Sequence, residues 1–304
     1  MIMFCGQGAQ KEDMLQTLVN DPSAKEFLDV ARKVTGVDIL EQCKNSESLK
    51  KTSFVQIALF VGSVSKLKQI ESNESQLLRN VKAVAGLSVG EFAALTYAGV
   101  LTFEDALKIV EQRGIAMQRL VDKFPTAMAS VLGASTQQLS DFLTCHFPNL
   151  KISGYLADNQ HTVGGEYRII DEFIQKLNDK DVVETLNLIN VRKLRVSGGF
   201  HTNFMQKAAQ DIEQLIESIE FKQPKIPVIF NVTGKVENDP QVIKALLKEQ
   251  LTSPLQWKQT ILTAVQMGIR NFIEISPSPI LSAIIRKRIQ ECADQKCVAQ
   301  FHRI

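Results

Sequence analysis

Residues 86–90 read Gly-Leu-Ser-Val-Gly, a GxSxG spacing between an apolar run (81–85, VKAVA) and a helix-favouring stretch (91–98, EFAALTYA). Strand, tight turn and helix in that order describe a nucleophile elbow. The serine at such a turn takes a strained backbone conformation, and side chains two residues to either side would collide, so glycine is required there. Ser88 would sit at a helix N-terminus, where unpaired amides and the helix dipole favour a developing negative charge. The Val89 amide is then the natural first oxyanion donor. The plain alternative is a surface turn that happens to fit the spacing, and the strand–turn–helix context argues against it. A second glycine turn, Gly6-Gln7-Gly8-Ala9-Gln10, follows an apolar N-terminal strand and could bring the Gln7 amide close to a ligand as a second donor. It lacks the phosphate-loop pattern GxxxxGK[ST], which argues against nucleotide binding.

A serine nucleophile needs a base, and the chain has only 4 histidines. His146 ends an amphipathic helix, His161 starts a short strand and His302 lies in the C-terminal tail. His201 closes the run LRVSGGFHT (194–202), an apolar strand that breaks at Gly198-Gly199 just before a helix, as a catalytic loop does. Elimination therefore selects His201, with a capping or buried structural role as its rival. No close cysteine–histidine cluster of metal-ligand spacing accompanies it. Cys5, Cys43, Cys145, Cys292 and Cys297 are scattered, without a CxxC, and read as reduced thiols.

The elements that must position these residues follow from composition and periodicity. With 304 residues, 44% hydrophobic and 22% charged, the chain can bury a core and is not disordered. Its net charge of +2, from 35 basic against 33 acidic residues, argues against a dedicated nucleic-acid binder. The longest apolar stretch, at 55–64, falls well short of the roughly 20 residues a bilayer requires, so no membrane role is expected. No secretory signal is read at the N-terminus, and a targeting presequence would have to lie upstream. A helix is expected over 102–122, opened by Thr102 with Asp105 in a capping-box spacing. Residues 126–190 change texture. Strands at 128–132, 150–156, 161–164 and 182–188 alternate with helices at 136–146 and 169–177, the βαββαβ order of a ferredoxin-like unit. Large-domain character resumes at 191, with strands at 226–230 and 271–275 and a helix at 254–267. The expected fold is α/β: residues 1–125 and 191–304 form a discontinuous core with a parallel sheet, interrupted by a small α+β insert at 126–190.

The motifs GQGAQ (6–10), GLSVGE (86–91), QRGIAMQ (112–118), VSGGFHT (196–202), FNVTG (230–234), QLTSPLQW (250–257) and FIEISPSPIL (272–281) together resemble the malonyl-CoA:acyl carrier protein transacylases. They occur in that family's order, span essentially the whole chain and are jointly very specific. The resemblance implies an α/β-hydrolase-like core carrying a ferredoxin-like subdomain. It also implies acyl transfer through a serine ester: Ser88 attacks the malonyl thioester, His201 takes its proton, and the oxyanion sits between the Gln7 and Val89 amides. The family uses a Ser–His dyad in which a backbone carbonyl orients the imidazole, and that carbonyl maps to Gln250. No acidic third member is implied.

Arg113 is where the resemblance changes the reading of a residue. On helix physics alone it is an ordinary solvated arginine; the QRGIAMQ match makes it the bidentate partner of the malonyl carboxylate, with Met117 on the same helix face and Phe200 before the histidine completing the pocket. Leu87 stands where histidine is common and Gly199 where alanine is frequent; the leucine is more like mitochondrial members, implying a mitochondrial matrix protein, with bacterial cytoplasm as the alternative. The implied partners are coenzyme A thioesters and an acidic, phosphopantetheinylated acyl carrier protein. Malonyl-CoA is a substrate, so no cofactor and no metal are expected, and a monomer is the expected state. Arg192, Lys193 and Arg195, or Arg286-Lys287-Arg288, could form a basic docking face, against the alternative of ordinary solvated charge. The role implied is supply of fatty acid synthesis. The alternatives are a polyketide acyltransferase, a serine thioesterase or hydrolase, and a non-catalytic scaffold.

Overall fold

A three-residue strand, β1 (Ile2–Phe4), is apolar and buried throughout, and it lies inside the larger of two sheets. The other strands are β2 (Val84–Gly86), β3 (Thr126–Leu132), β4 (Lys151–Ala157), β5 (Gln160–Glu166), β6 (Asn190–Lys193), β7 (Val228–Ile229), β8 (Val236–Glu237), β9 (Asn271–Ser276) and β10 (Val298–Arg303). The six-stranded sheet has the order β10-β9-β1-β2-β7-β8, parallel except for the β7–β8 pair. Strands covered on both faces read as continuous apolar runs, which is how Ile2-Met3-Phe4 and Val84-Ala85-Gly86 read. Chain order reverses direction around β1, with β2 on one side and β9 on the other. Open parallel sheets bind ligands beyond the carboxyl ends of their strands at such a point. The Gly6 turn leaves β1 there and the Ser88 turn leaves β2 there. The computed structural model describes residues 1–285 and 298–303; Cys292, Cys297 and the Arg286-Lys287-Arg288 run lie outside the described residues.

The apolar stretch at 55–64 belongs to the Thr52–Asn73 helix, which is buried at nearly every position from Thr52 to Ser65. A helix apolar all round is a core helix. No helix among the described residues is long and apolar enough to cross a membrane. Against it lies the Phe103–Lys123 helix. Thr102 starts that helix by accepting from the Asp105 amide (3.1 Å) and donating its hydroxyl to the Asp105 carboxylate (2.8 Å).

The second sheet, order β4-β5-β3-β6, is antiparallel, with the Thr136–His146 and Tyr167–Leu177 helices enclosing Val131, Leu139, Phe173 and Leu177. One expected strand is absent: 182–188 begins as a helix, Lys180–Thr185, and the fourth strand is β6. Val182, Val183 and Leu186, the positions that face inward, fall at helical spacing, not at alternation. Among the bonds that join this sheet to the rest of the chain are those of Leu255 and Gly199. The Leu255 amide donates to Ser153 O (3.0 Å) and Leu255 O accepts from the Tyr155 amide (2.8 Å), and the Gly199 amide donates to Thr126 Oγ1 (2.8 Å).

The elbow depends on close backbone packing. A Cβ on Gly86 would stand 2.0 Å from Gly90 C, and one on Gly90 would stand 2.4 Å from Phe4 O and 2.5 Å from Cys5 O. Backbone atoms cannot yield as a side chain would. Gly90→Ala is therefore expected to destabilise the protein by about 3 kcal/mol in urea titration. Gly268→Ala, with φ +77° but open space at the Cβ position, should cost only about 1 kcal/mol. Equal losses at the two positions would contradict the close-packing argument.

Candidate active site

Ser88 is one of four non-glycine residues with positive φ among the described residues (+54°), and His201 is another (+59°). Left-handed backbone at such residues is strained and persists only where surroundings enforce it. At the elbow, the Leu87 amide donates to Phe4 O (2.9 Å), the Gly90 amide to Leu87 O (3.0 Å) and the Ser88 amide to Asn231 Oδ1 (2.7 Å). Because its amide is occupied, Ser88 cannot be an oxyanion donor. The Val89 amide opens the Gly90–Tyr97 helix, and neither it nor the Gln7 amide meets an acceptor among the described residues. Gly6 packs so closely on Leu87 that a Cβ there would lie 2.6 Å from its carbonyl oxygen, which fixes the Gln7 turn against the elbow. The Gln7 side chain is anchored by Nε2 donation to Thr52 Oγ1 (2.9 Å), itself 2.7 Å from Ser197 Oγ.

His201 is buried, with Nε2 2.8 Å from Ser88 Oγ and Nδ1 2.9 Å from Gln250 O. A carbonyl only accepts, so it fixes the proton on Nδ1 and leaves Nε2 with its lone pair facing the serine hydroxyl. The loop that presents His201 is held from the smaller sheet. Thr126 takes the Gly199 amide, and the Thr202 hydroxyl donates to Gly199 O (2.6 Å).

Arg113 is 1% exposed, on the buried face of the Phe103–Lys123 helix. Its guanidinium donates to Gln56 Oε1 (2.5 Å), Gln250 Oε1 (2.9 Å) and Ser88 Oγ (3.2 Å). Gln56 is held in turn by donation from its Nε2 to Met117 Sδ (2.9 Å). Behind the serine, Gln250 Nε2 donates to Ser88 O (3.1 Å) and to Oε1 of fully buried Glu91 (2.9 Å). The other Glu91 oxygen accepts from the Asn231 amide (2.6 Å) and from Asn231 Nδ2.

Burial sets the charge states. Burial first, and then the Arg113 charge, pull His201 down from 6.5 to about 3, so the imidazole is neutral at neutral pH, as a base must be. Burial lowers Arg113 to about 9 against the pull of Glu91, which leaves it a cation. Burial pushes Glu91 up to about 7, opposed by the bonds from Asn231 and Gln250 and by Arg113. Donors face both its oxygens, an arrangement that suits the carboxylate. A cavity of about 420 Å³, lined by Tyr155, His201, Thr202, Asn203, Thr252 and Pro254, opens beside the base. It is roomy enough for a flexible thioester arm. No group of three or more His, Cys, Asp or Glu among the described residues is placed to hold a metal ion.

The structure thus brings Ser88, His201, Arg113 and the Gln250 carbonyl together, with Met117 behind Gln56. Phe200, 5% exposed, packs beside Gly198 and precedes the base in the chain. His146 and His161 stand apart in the smaller sheet unit. His161 lies on β5 with Nε2 2.9 Å from Thr136 Oγ1. Sequence reasoning missed Gln56, Glu91 and Asn231. One signal was available for each charged residue. Arg113 stands on the stripe Ala106, Ile109, Val110, Ala116, Met117, and Glu91 opens the otherwise uncharged helix GEFAALTY.

The chain matches the family model described as the acyl transferase domain over residues 1–303. It is 35% identical over 295 residues to the malonyl CoA-acyl carrier protein transacylase of Staphylococcus aureus, spanning 94% of this chain and 91% of that one. It is 32% identical over 302 residues to the human mitochondrial malonyl-CoA-acyl carrier protein transacylase, spanning 94% of this chain and 76% of that one. The solved malonyl CoA-acyl carrier protein transacylase of Coxiella burnetii superposes with a TM-score of 0.88 at 28% identity, covering 98% of this chain and 92% of that one.

The depressed His201 value makes a thermodynamic prediction. The unfolded chain takes up a proton near 6.5 and the folded site does not, so this stability is complete above 6.5 and falls as pH drops from 6.5 towards 3. At pH 5 the loss from this residue should be about 2 kcal/mol. Urea titration at pH 7 and pH 5 should show that loss in the wild type beyond whatever His201→Gln retains; identical pH slopes in the two proteins would refute it.

Proposed function

The chain belongs to the acyl transferase family and, within it, to the malonyl-CoA:acyl carrier protein transacylases, and from that membership we propose that it carries malonyl from malonyl-CoA to the phosphopantetheine thiol of an acyl carrier protein through an ester on Ser88. The observation that carries the malonyl assignment is the buried guanidinium of Arg113 at 3.2 Å from Ser88 Oγ. In a malonyl thioester the free carboxylate is one methylene from the reacting carbonyl. Its cation must therefore stand beside the nucleophile, and arginine offers the planar fork a carboxylate matches.

The reaction takes two turns of the same dyad. Ser88 Oγ attacks the thioester carbonyl as its proton passes to His201 Nε2, and the oxyanion is received by the Val89 and Gln7 amides. Collapse breaks the carbon–sulfur bond, and the proton on Nε2 leaves with the coenzyme A thiol. The carrier thiol then gives its proton to His201 and attacks the serine ester, and Ser88 leaves with that proton. The Gln250 carbonyl steadies the imidazole throughout. Met117 acts through Gln56, which it holds against Arg113, and Phe200 supports the loop that carries the base. No cofactor enters, since malonyl-CoA is itself a substrate. We read 1–125 and 191–304 as the catalytic core and 126–190 as a subdomain; the separate sheet and apolar cluster support a subdomain, but β6 pairs with β3 as far as Lys193, so the smaller unit runs a few residues past 190.

A serine hydrolase is the rival reading, because the elbow is shared. His201 Nδ1 faces a carbonyl, not a carboxylate, and a hydrolase has no need of a buried arginine beside its serine. The role we infer is supply of fatty acid synthesis, with polyketide synthesis as the alternative. For compartment we keep the mitochondrial matrix, on Leu87 and the human relative's name; the bacterial relatives make bacterial cytoplasm its rival, which subcellular fractionation decides. For the carrier we infer a basic rim. Arg192 and Arg195 are exposed, whereas Lys193 is held by Asp171 and the Tyr167 ring, so it is a weaker candidate. Arg195 and Lys50 line a second cavity of about 500 Å³ together with Gln10 and Ser197.

Intact-mass measurement after malonyl-CoA should show one malonyl adduct on the wild type and none on Ser88→Ala, and the adduct should be discharged by carrier protein. Rapid discharge to water without carrier would make the protein a hydrolase. Arg113→Ala should lose malonyl loading relative to acetyl loading by about 2–5 kcal/mol of preference; an unchanged preference would refute the role of Arg113. Raising salt should slow transfer to the carrier more than loading from malonyl-CoA, and equal sensitivity would exclude the basic rim as the docking face.

A further inference from the structure

Three buried side chains stand in line behind the serine: the Arg113 guanidinium, the Gln250 amide and the Glu91 carboxylate. Arg113 donates to Gln250 Oε1 at 2.9 Å, and Gln250 Nε2 donates to Glu91 Oε1 at 2.9 Å. An amide can be turned either way round, and its neighbours decide which. Here Nε2 meets two acceptors, Ser88 O and Glu91, so Oε1 must face the arginine. Glu91 is itself fixed by donors from Asn231, whose Oδ1 takes the Ser88 amide.

We propose that Glu91 is a positioning residue that acts as the insulated counter-charge of Arg113, with the Gln250 amide as spacer. The proposal rests on the malonyl reading of the site and deepens it. A buried cation needs a compensating anion, yet a carboxylate in direct contact would occupy the fork meant for the acyl carboxylate. Setting the anion one amide away compensates the charge and leaves the guanidinium able to exchange its neutral acceptors, Ser88 Oγ and the glutamine oxygens, for an incoming carboxylate. The mutual influence of Glu91 and Arg113 on each other's ionisation agrees with that coupling.

Two variants test it. Glu91→Gln removes the anion and lets its own amide turn a donor towards Gln250, which favours the flipped Gln250 with nitrogen against Arg113. Glu91→Gln with Gln250→Glu keeps one carboxylate in the chain but moves it onto Arg113. Intact-mass rates of malonyl and acetyl loading are measured for both, beside the wild type. The malonyl-to-acetyl ratio is expected to fall about tenfold or more in each. A purely structural role would lower both loadings together and leave the ratio unmoved, and that result overturns the proposal. If the single variant does not fold, the charge-transposed pair decides: wild-type malonyl preference with the carboxylate on Arg113 overturns the spacer. Absence of malonyl loading by the wild type would instead defeat the functional reading. A crystal structure of the Glu91→Gln variant then still reports, from Arg113 and its partners, whether the Gln250 amide has turned; an unturned amide overturns the proposal.

Discussion

A cation buried beside a nucleophile governs the rest of this site. Removing a guanidinium from water costs several kcal/mol unless acceptors and a counter-charge replace the lost hydration. Arg113 has Gln56, Gln250 and Ser88 as acceptors, and Glu91 stands beyond the second of them. The same charge helps hold His201 neutral. That neutrality explains why a carbonyl is a sufficient partner for Nδ1. The imidazole needs its tautomer and direction fixed, and an acceptor without charge does both while only partly offsetting the lowering by burial and by Arg113. In the proposed reaction an acyl carboxylate on the guanidinium would weaken one of the two influences that depress His201, and the base would be stronger with the substrate in place.

The second constraint is conformational. Nucleophile and base both have left-handed backbone, which neither residue favours, so each must be enforced from outside its own turn. For Ser88 the enforcement comes from contacts that only glycine permits, Gly86 against Gly90 and Gly90 against the end of β1. For His201 it comes from the smaller sheet. Thr126 at the start of β3 takes the Gly199 amide, and the Thr202 methyl group packs so near Gly164 on β5 that a Cβ there would stand 3.0 Å from it. The smaller unit is therefore more than a wall of the cleft, because the base loop is tied to it.

How much of this was legible in the sequence follows from range. The elbow is a local arrangement, and the spacing of Gly86, Ser88 and Gly90 with their flanking strand and helix was enough to find it. His201 emerged by elimination among 4 histidines, but its partner came only through the family resemblance. Local pattern cannot disclose a bond between residues 49 apart in the chain. Glu91, Asn231 and Gln56 were missed for the same reason. Their partners lie 57 to 159 residues away, and although Glu91 stands out as the one charge of its helix, nothing local says what it meets. The strand expected at 182–188 failed differently: the segment is locally ambiguous, and the Val182–Leu186 spacing is that of one helical turn.

Gln250 joins these lines of argument in a single residue. Its backbone carbonyl directs His201, its side-chain oxygen meets Arg113, and its side-chain nitrogen ties the Ser88 carbonyl to Glu91. Five residues further on, Leu255 pairs with β4, so the segment is fastened to the smaller sheet as well. His201 and Arg113 therefore share one anchor, which in the proposed reaction links orientation of the base to recognition of the acyl carboxylate. A displacement of Arg113 towards a bound carboxylate would be felt at the imidazole through a path only one side chain long. In the proposed reaction this favours substrates that engage the arginine, because the acyl group that claims Arg113 also acts on the base that must receive the serine proton.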